Sequence, residues 1–159
     1  MDNPSSVDTG LIKSLLLSQY RASLKMLNKA ITICSPDLWE STAYRNPTWK
    51  IAYHTLYFTD LYLYQHLDQW KAWEKHLPGT QNLGESTHEK IYSRDESLEF
   101  LRYIDDRIEA ALHDLDISVV DSGFYWYKIP KLEHQFVNLK HLHHHLGQLQ
   151  DRIRNHQDV

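Results

Sequence analysis

Residues 128–154 read KIPKLEHQFVNLKHLHHHLGQLQDRIR, and the fold turns on how their leucines are spaced. Leu139, Leu142, Leu146, Leu149 and Ile153 recur at alternating steps of three and four, which places them on one stripe of an amphipathic α-helix. Such a stripe needs a core to face. Four histidines, His141, His143, His144 and His145, crowd the middle of this helix. Side chains on a helix converge on one ion only when they stand three or four positions apart. His143 has Leu139, Lys140, Leu146 and Gly147 at those offsets, so it has no histidine to chelate with. His141 has two, His144 and His145. At roughly 100° per residue, His145 lies at the edge of the leucine stripe with His141 behind it, whereas His144 points away. The spacing selects His141 and His145.

Two histidines do not complete a site, because an open zinc-type centre takes three protein ligands and leaves a fourth position to water or substrate. The third is sought in WKIAYHTLYFTDLYLYQHL, residues 49–67. There Ile51, His54, Phe58 and Leu61 step by three, four and three, which embeds His54 in an apolar stripe. A neutral imidazole so placed needs partners for both nitrogens. Metal ligation satisfies one, and an acceptor behind the ligand satisfies the other. Asp60, six positions on, falls nearly opposite on the helix and is not counted as a ligand.

These two segments resemble the DinB/YfiT-like metalloprotein superfamily. NPTWKIAYHTLYFTDLYL is similar to that family's second-helix segment with its histidine ligand, and HLHHHLGQL resembles its fourth-helix pattern of His, three residues, His, one residue, Gly-Gln. Carried over by position, the resemblance implies the ligands His54, His141 and His145. Leu146 departs from the pattern, since many members carry arginine there. The family includes thiol-dependent S-transferases and isomerases, beside members without an assigned activity.

Composition bounds the rest. At 159 residues with a hydrophobic fraction of 42%, the chain reads as one domain over residues 1–159, large enough to bury a core. A formal net charge of −4 with basic and acidic residues interspersed gives no electrostatic footprint for nucleic acid. No apolar run is long enough for a membrane span or a signal-peptide core. A single cysteine excludes an internal disulfide and points to a reducing compartment, the cytoplasm by default. Cys34 itself reads as a small buried thiol rather than a nucleophile.

Periodicity predicts four helices, at about 9–33, 48–70, 94–115 and 131–155. The first is capped by Asp8 or Thr9, carries Leu16, Tyr20, Leu24, Leu27 and Ile31 inward, and is stopped by Ser35-Pro36. Between the first and second helices the chain reads as a loop with one helical turn near Leu38-Trp39-Glu40. The second helix has more tyrosines (Tyr53, Tyr57, Tyr62, Tyr64) than one stripe can hold, so some must line a cavity, meet a partner chain or cover another helix. His66 and His76 read as surface residues. Residues 78–93, PGTQNLGESTHEKIYS, form the longest loop and a candidate lid or rim, with His88 in solvent. Ser93 and Glu96 have capping-box spacing and open the third helix, a scaffold element. The aromatic run Phe124 to Tyr127 is a loop whose rings are expected to wall the metal pocket.

The fold class that follows is all-α: a four-helix bundle with at least one crossover connection, DinB/YfiT-like, with the metal site built from inward side chains of facing helices. Zinc or nickel is the expected divalent transition metal, with Gln148, three positions after His145, able to hydrogen-bond a metal-bound group. An ion held by three neutral imidazoles activates water or a low-molecular-weight thiol. The leading reading is a metal-dependent, thiol-dependent S-transferase or detoxifying enzyme acting on a small-molecule substrate. The alternatives are a metal-dependent hydrolase, which would need a general base that the sequence does not offer, and a non-enzymatic dimeric interaction module. The aromatic surplus makes a homodimer the expected assembly.

Overall fold

A computed structural model describes residues 8–84 and 90–157, so the reading of His88 lies outside the described residues. Among these residues the secondary structure is helical throughout: α1 Thr9–Ile33, α2 Pro36–Trp39, α3 Thr48–Leu61, α4 Arg94–Asp114 and α5 Lys131–Gln157, with one 3₁₀ turn at Leu67–Gln69. Asp8 caps α1 by accepting from the Leu11 amide, and Ser35 caps the single turn of α2. Ser93 and Glu96 form the expected capping box on α4. The inward stripes of α1 and α5 are buried as the spacing requires, and α4 turns Phe100, Leu101, Ile104, Ile108 and Leu112 to the core.

α1 packs on α4 and α5, and α3 packs on the same two. Side-chain contacts give the directions. Lys13 at the start of α1 donates to the His113 carbonyl at the end of α4, and Arg94 at the start of α4 donates to the Cys34 carbonyl after α1. These two helices are antiparallel. α3 and α5 are antiparallel too, because Arg152 meets Thr48 at one end while Lys131 reaches the Tyr64 carbonyl at the other. α1 runs with α5, as Tyr20 meets Gln135 and Ser23 meets His143. The bundle is therefore up, down, down, up. The chain leaving α3 must travel the length of the bundle before α4 can begin, which is the crossover connection.

That crossover explains the tyrosine surplus. α3 is buried almost all round, as a helix covered on every side must be. The crossover lies on the face that α4 and α5 leave uncovered. Tyr53 stacks on Tyr92 with ring centroids 4.0 Å apart, and its hydroxyl lies 2.6 Å from His76 Nδ1. Tyr57 packs on Trp70 and His76. The rings thus meet their own chain. His76 is half-buried in this layer, not on the surface as its spacing suggested, because the crossover folds it back onto α3.

α3 also ends earlier than its apolar pattern predicts, at Leu61 rather than near residue 70. The cause is tertiary. The carbonyls of Thr59, Tyr62 and Tyr64 accept from Asn138 Nδ2, Gln135 Nε2 and Lys131 Nζ of α5, which satisfies the helix end without a further turn. Beyond it, Gly123 (φ +80°) presses against the Gln65 and His66 backbone, where a β-carbon would stand 2.0 Å from the Gln65 oxygen. The Gly123 carbonyl takes the Leu67 amide.

Candidate metal centre

The antiparallel pairing of α3 and α5 brings His54 opposite His141 and His145. His54 Nε2 lies 3.0 Å from His141 Nε2, which lies 3.1 Å from His145 Nε2. All three ligand atoms fall within 4.8 Å of one another. Two nitrogens bound tetrahedrally at about 2.0–2.1 Å would stand roughly 3.3–3.4 Å apart, so the cluster has the dimensions of an ion's coordination shell. It is the one group of three such side chains among the described residues.

The protonation pattern follows from what surrounds the rings. His54 Nδ1 lies 2.7 Å from the carbonyl oxygen of Gln81, which can only accept, so Nδ1 carries the proton and Nε2 presents a lone pair. His145 Nδ1 lies 2.7 Å from Gln148 Oε1 and is oriented in the same way. Burial pulls His54 down to about 4, opposed by the Gln81 hydrogen bond and aided by the charges of His145 and Lys50. Burial likewise takes His141 down to about 3, with His145, His54 and His144 adding to it. His145 is lowered by burial as well. Neutral imidazoles whose Nε2 atoms meet at one point fit a divalent cation, which takes neutral imidazole nitrogens as ligands. Phe58 walls the group, its ring 4.7 Å from His54 and 5.5 Å from His141.

Gln148 lies against His145 Nδ1, away from the three converging nitrogens. Its oxygen holds His145 rather than its amide reaching toward an ion. Gly147 has no atom within 4 Å of where a β-carbon would stand, so no helix approaches there. Leu146 is buried in the core. The aromatic loop does not wall the site: Phe124 and Tyr127 pack on His134 and Tyr62, nearer the start of α5. His143 bridges to α1, its Nε2 2.5 Å from Ser23 Oγ. Since Ser23 Oγ already donates to the Gln19 carbonyl, the histidine is the donor, the reverse of a nucleophile and its base. Cys34 is buried, and that burial pushes its thiol up to about 11. Asp60 is committed to Arg107 at 2.8 Å.

Three polar groups that the fold buries or engages escaped the sequence reading. The Gln81 carbonyl is a backbone atom and leaves no residue-type signal. His134 and Asn138, buried on α5, could have been found, since they stand seven and three positions before His141 and share its inward side.

A family model matches residues 19–149, a span that contains all three histidines, the whole of α3 and the part of α5 that carries His141 and His145. The chain belongs to the DinB superfamily. This DinB-superfamily bundle has no match among curated proteins or solved structures. Its helices, crossover and histidine cluster support a metal-binding member of the superfamily.

Proposed function

We propose that His54, His141 and His145 hold a divalent transition metal, zinc or nickel, and that the protein is a metal-dependent transferase joining a low-molecular-weight thiol to a small electrophile. The observation that carries this reading is the convergence of three neutral Nε2 atoms with no carboxylate among them. An ion bound by imidazoles alone keeps its full positive charge, which favours the deprotonated form of a thiol at neutral pH. The chain supplies orientation: the Gln81 carbonyl and Gln148 fix two of the rings, and Phe58 closes one side against water. In the reaction the thiol sulfur forms a bond to the electrophilic carbon, the leaving group departs with its electron pair, and the thiol proton passes to solvent. The hydrolase alternative is weaker here, because water attack calls for a general base, and Asp60 is tied up by Arg107.

The test is conjugation of glutathione to an aryl halide by protein purified without a histidine tag, with metal content measured in parallel. Wild type should contain close to one equivalent of metal and turn over. His141→Ala and chelator-treated protein should lose both properties. Conjugation that survives complete metal removal overturns the reading.

A further inference from the structure

The cluster is supported unevenly. His54 Nδ1 has the Gln81 carbonyl and His145 Nδ1 has Gln148 Oε1, but His141 Nδ1 is buried with no hydrogen-bond partner in the protein. As a ligand through Nε2, His141 must carry its proton on Nδ1, and a buried N–H without an acceptor is costly. One helical turn earlier on the same helix stands Asn138, fully buried. Its amide orientation is fixed: Nδ2 donates to the Thr59 carbonyl at 3.2 Å, and a flipped amide would set two oxygens against each other. Asn138 Oδ1 is left buried and unpartnered, as is Thr59 Oγ1 beside it.

Residues three apart on a helix stand about 5–6 Å apart at their β-carbons, close enough for a bridge although the two side chains make no direct bond. Buried waters typically make about three hydrogen bonds to polar groups that otherwise lack them. We infer that Asn138, through one buried water shared with Thr59, is the positioning residue that holds His141 in its ligating tautomer. The water accepts from His141 Nδ1–H and donates to Asn138 Oδ1 and Thr59 Oγ1. All three histidines are then oriented from behind: one by a backbone carbonyl, one by a glutamine, one by an asparagine and its water. The inference rests on the reading of the histidines as metal ligands and adds a residue to it.

Loss of a partner behind a metal ligand typically weakens metal affinity by about 10–100-fold. Zinc affinity, measured by competition with a chromogenic chelator, should fall by about that factor in Asn138→Ala and by less in Thr59→Val. Ile108→Val is the control. It thins the buried core from α4, which carries neither the histidines nor Asn138 and Thr59, so it lowers thermal stability without weakening zinc binding. Nitrogen-15 NMR of zinc-loaded wild type needs no variant and should show His141 protonated at Nδ1, with that proton slow to exchange. If wild type binds zinc but Asn138→Ala binds it equally well, or if His141 Nδ1 is unprotonated or exchanges at once, the inference fails and the metal reading stands. If wild type binds no zinc, both fail together.

Discussion

At the residue scale, His134 shows what burial does to an imidazole when nothing compensates it. It is fully buried among Tyr62, Phe124 and Tyr127, and neither ring nitrogen has a partner. Burial, with the charge of Lys131 behind it, pulls the group down to about 4. Between about 4 and an unfolded value of about 6.5, the unfolded chain therefore binds a proton that the folded chain does not. Stability then rises with pH across that window and falls as the solution is acidified, by up to about 1.4 kcal/mol per pH unit from this residue. His134→Leu should remove that contribution. Urea unfolding at pH 7 and at pH 5 should show a smaller loss on acidification than in wild type. It should show little or no penalty at pH 7, because two unsatisfied nitrogens disappear with the ring. An equal acid loss in variant and wild type would exclude His134 as the source. The sequence offered this residue at a heptad step before His141, yet an orphaned nitrogen is a property of neighbours that no spacing reveals.

At the scale of elements, the start of α5 serves as the end cap of α3. Lys131, Gln135 and Asn138 are each buried, and each donates to a carbonyl at or just beyond the last turn of that helix. This is why the second long helix stops where its own apolar pattern would have carried it on. Propensity and periodicity are local, and the donors that end α3 lie some seventy positions away in the chain. The starts of α1 and α4 were legible for the opposite reason, since Asp8 and Ser93 act within three residues of themselves. Lys131 is the most exacting of the three donors. Its ammonium is fully buried, contacts the carbonyls of Tyr64 and Ser122, and lies over the Phe124 ring at 5.1 Å; burial draws it down to about 8. Lys131→Met keeps the apolar stem but strands both carbonyls, at roughly 1–3 kcal/mol for each buried group left unmade. Chemical denaturation should therefore give a loss of about 2–6 kcal/mol, with amide exchange accelerated first around Tyr62 to Leu67. A loss under about 0.5 kcal/mol, the scale of an ordinary surface change, would show that the helix end is held by something else.

At the scale of the whole molecule, the crossover and the histidine cluster are one design. An up, down, down, up bundle obliges the chain to run back along α3, and that return path carries the Gln81 carbonyl to His54. The spacing of His141 and His145 on one helix, and of His54 within an apolar stripe, could be read directly because each is a property of a single element. The crossover's part could not, because the group it contributes is common to every residue. It follows that the site exists only in the folded chain, so metal binding and folding are thermodynamically linked. A ligand that binds only the native state adds RT ln(1 + [L]/Kd), about 2.7 kcal/mol at a hundredfold excess over Kd. Zinc added to stripped wild type should raise its Tm by several degrees, and a chelator should reverse the shift. His54→Ala should abolish the zinc response, while Gln81→Ala, which keeps the backbone carbonyl, should retain it. A wild-type Tm indifferent to zinc across that range would mean that the three imidazoles meet for packing alone. A response that survives His54→Ala would move the ion to the α5 pair and leave the crossover without a part in holding it.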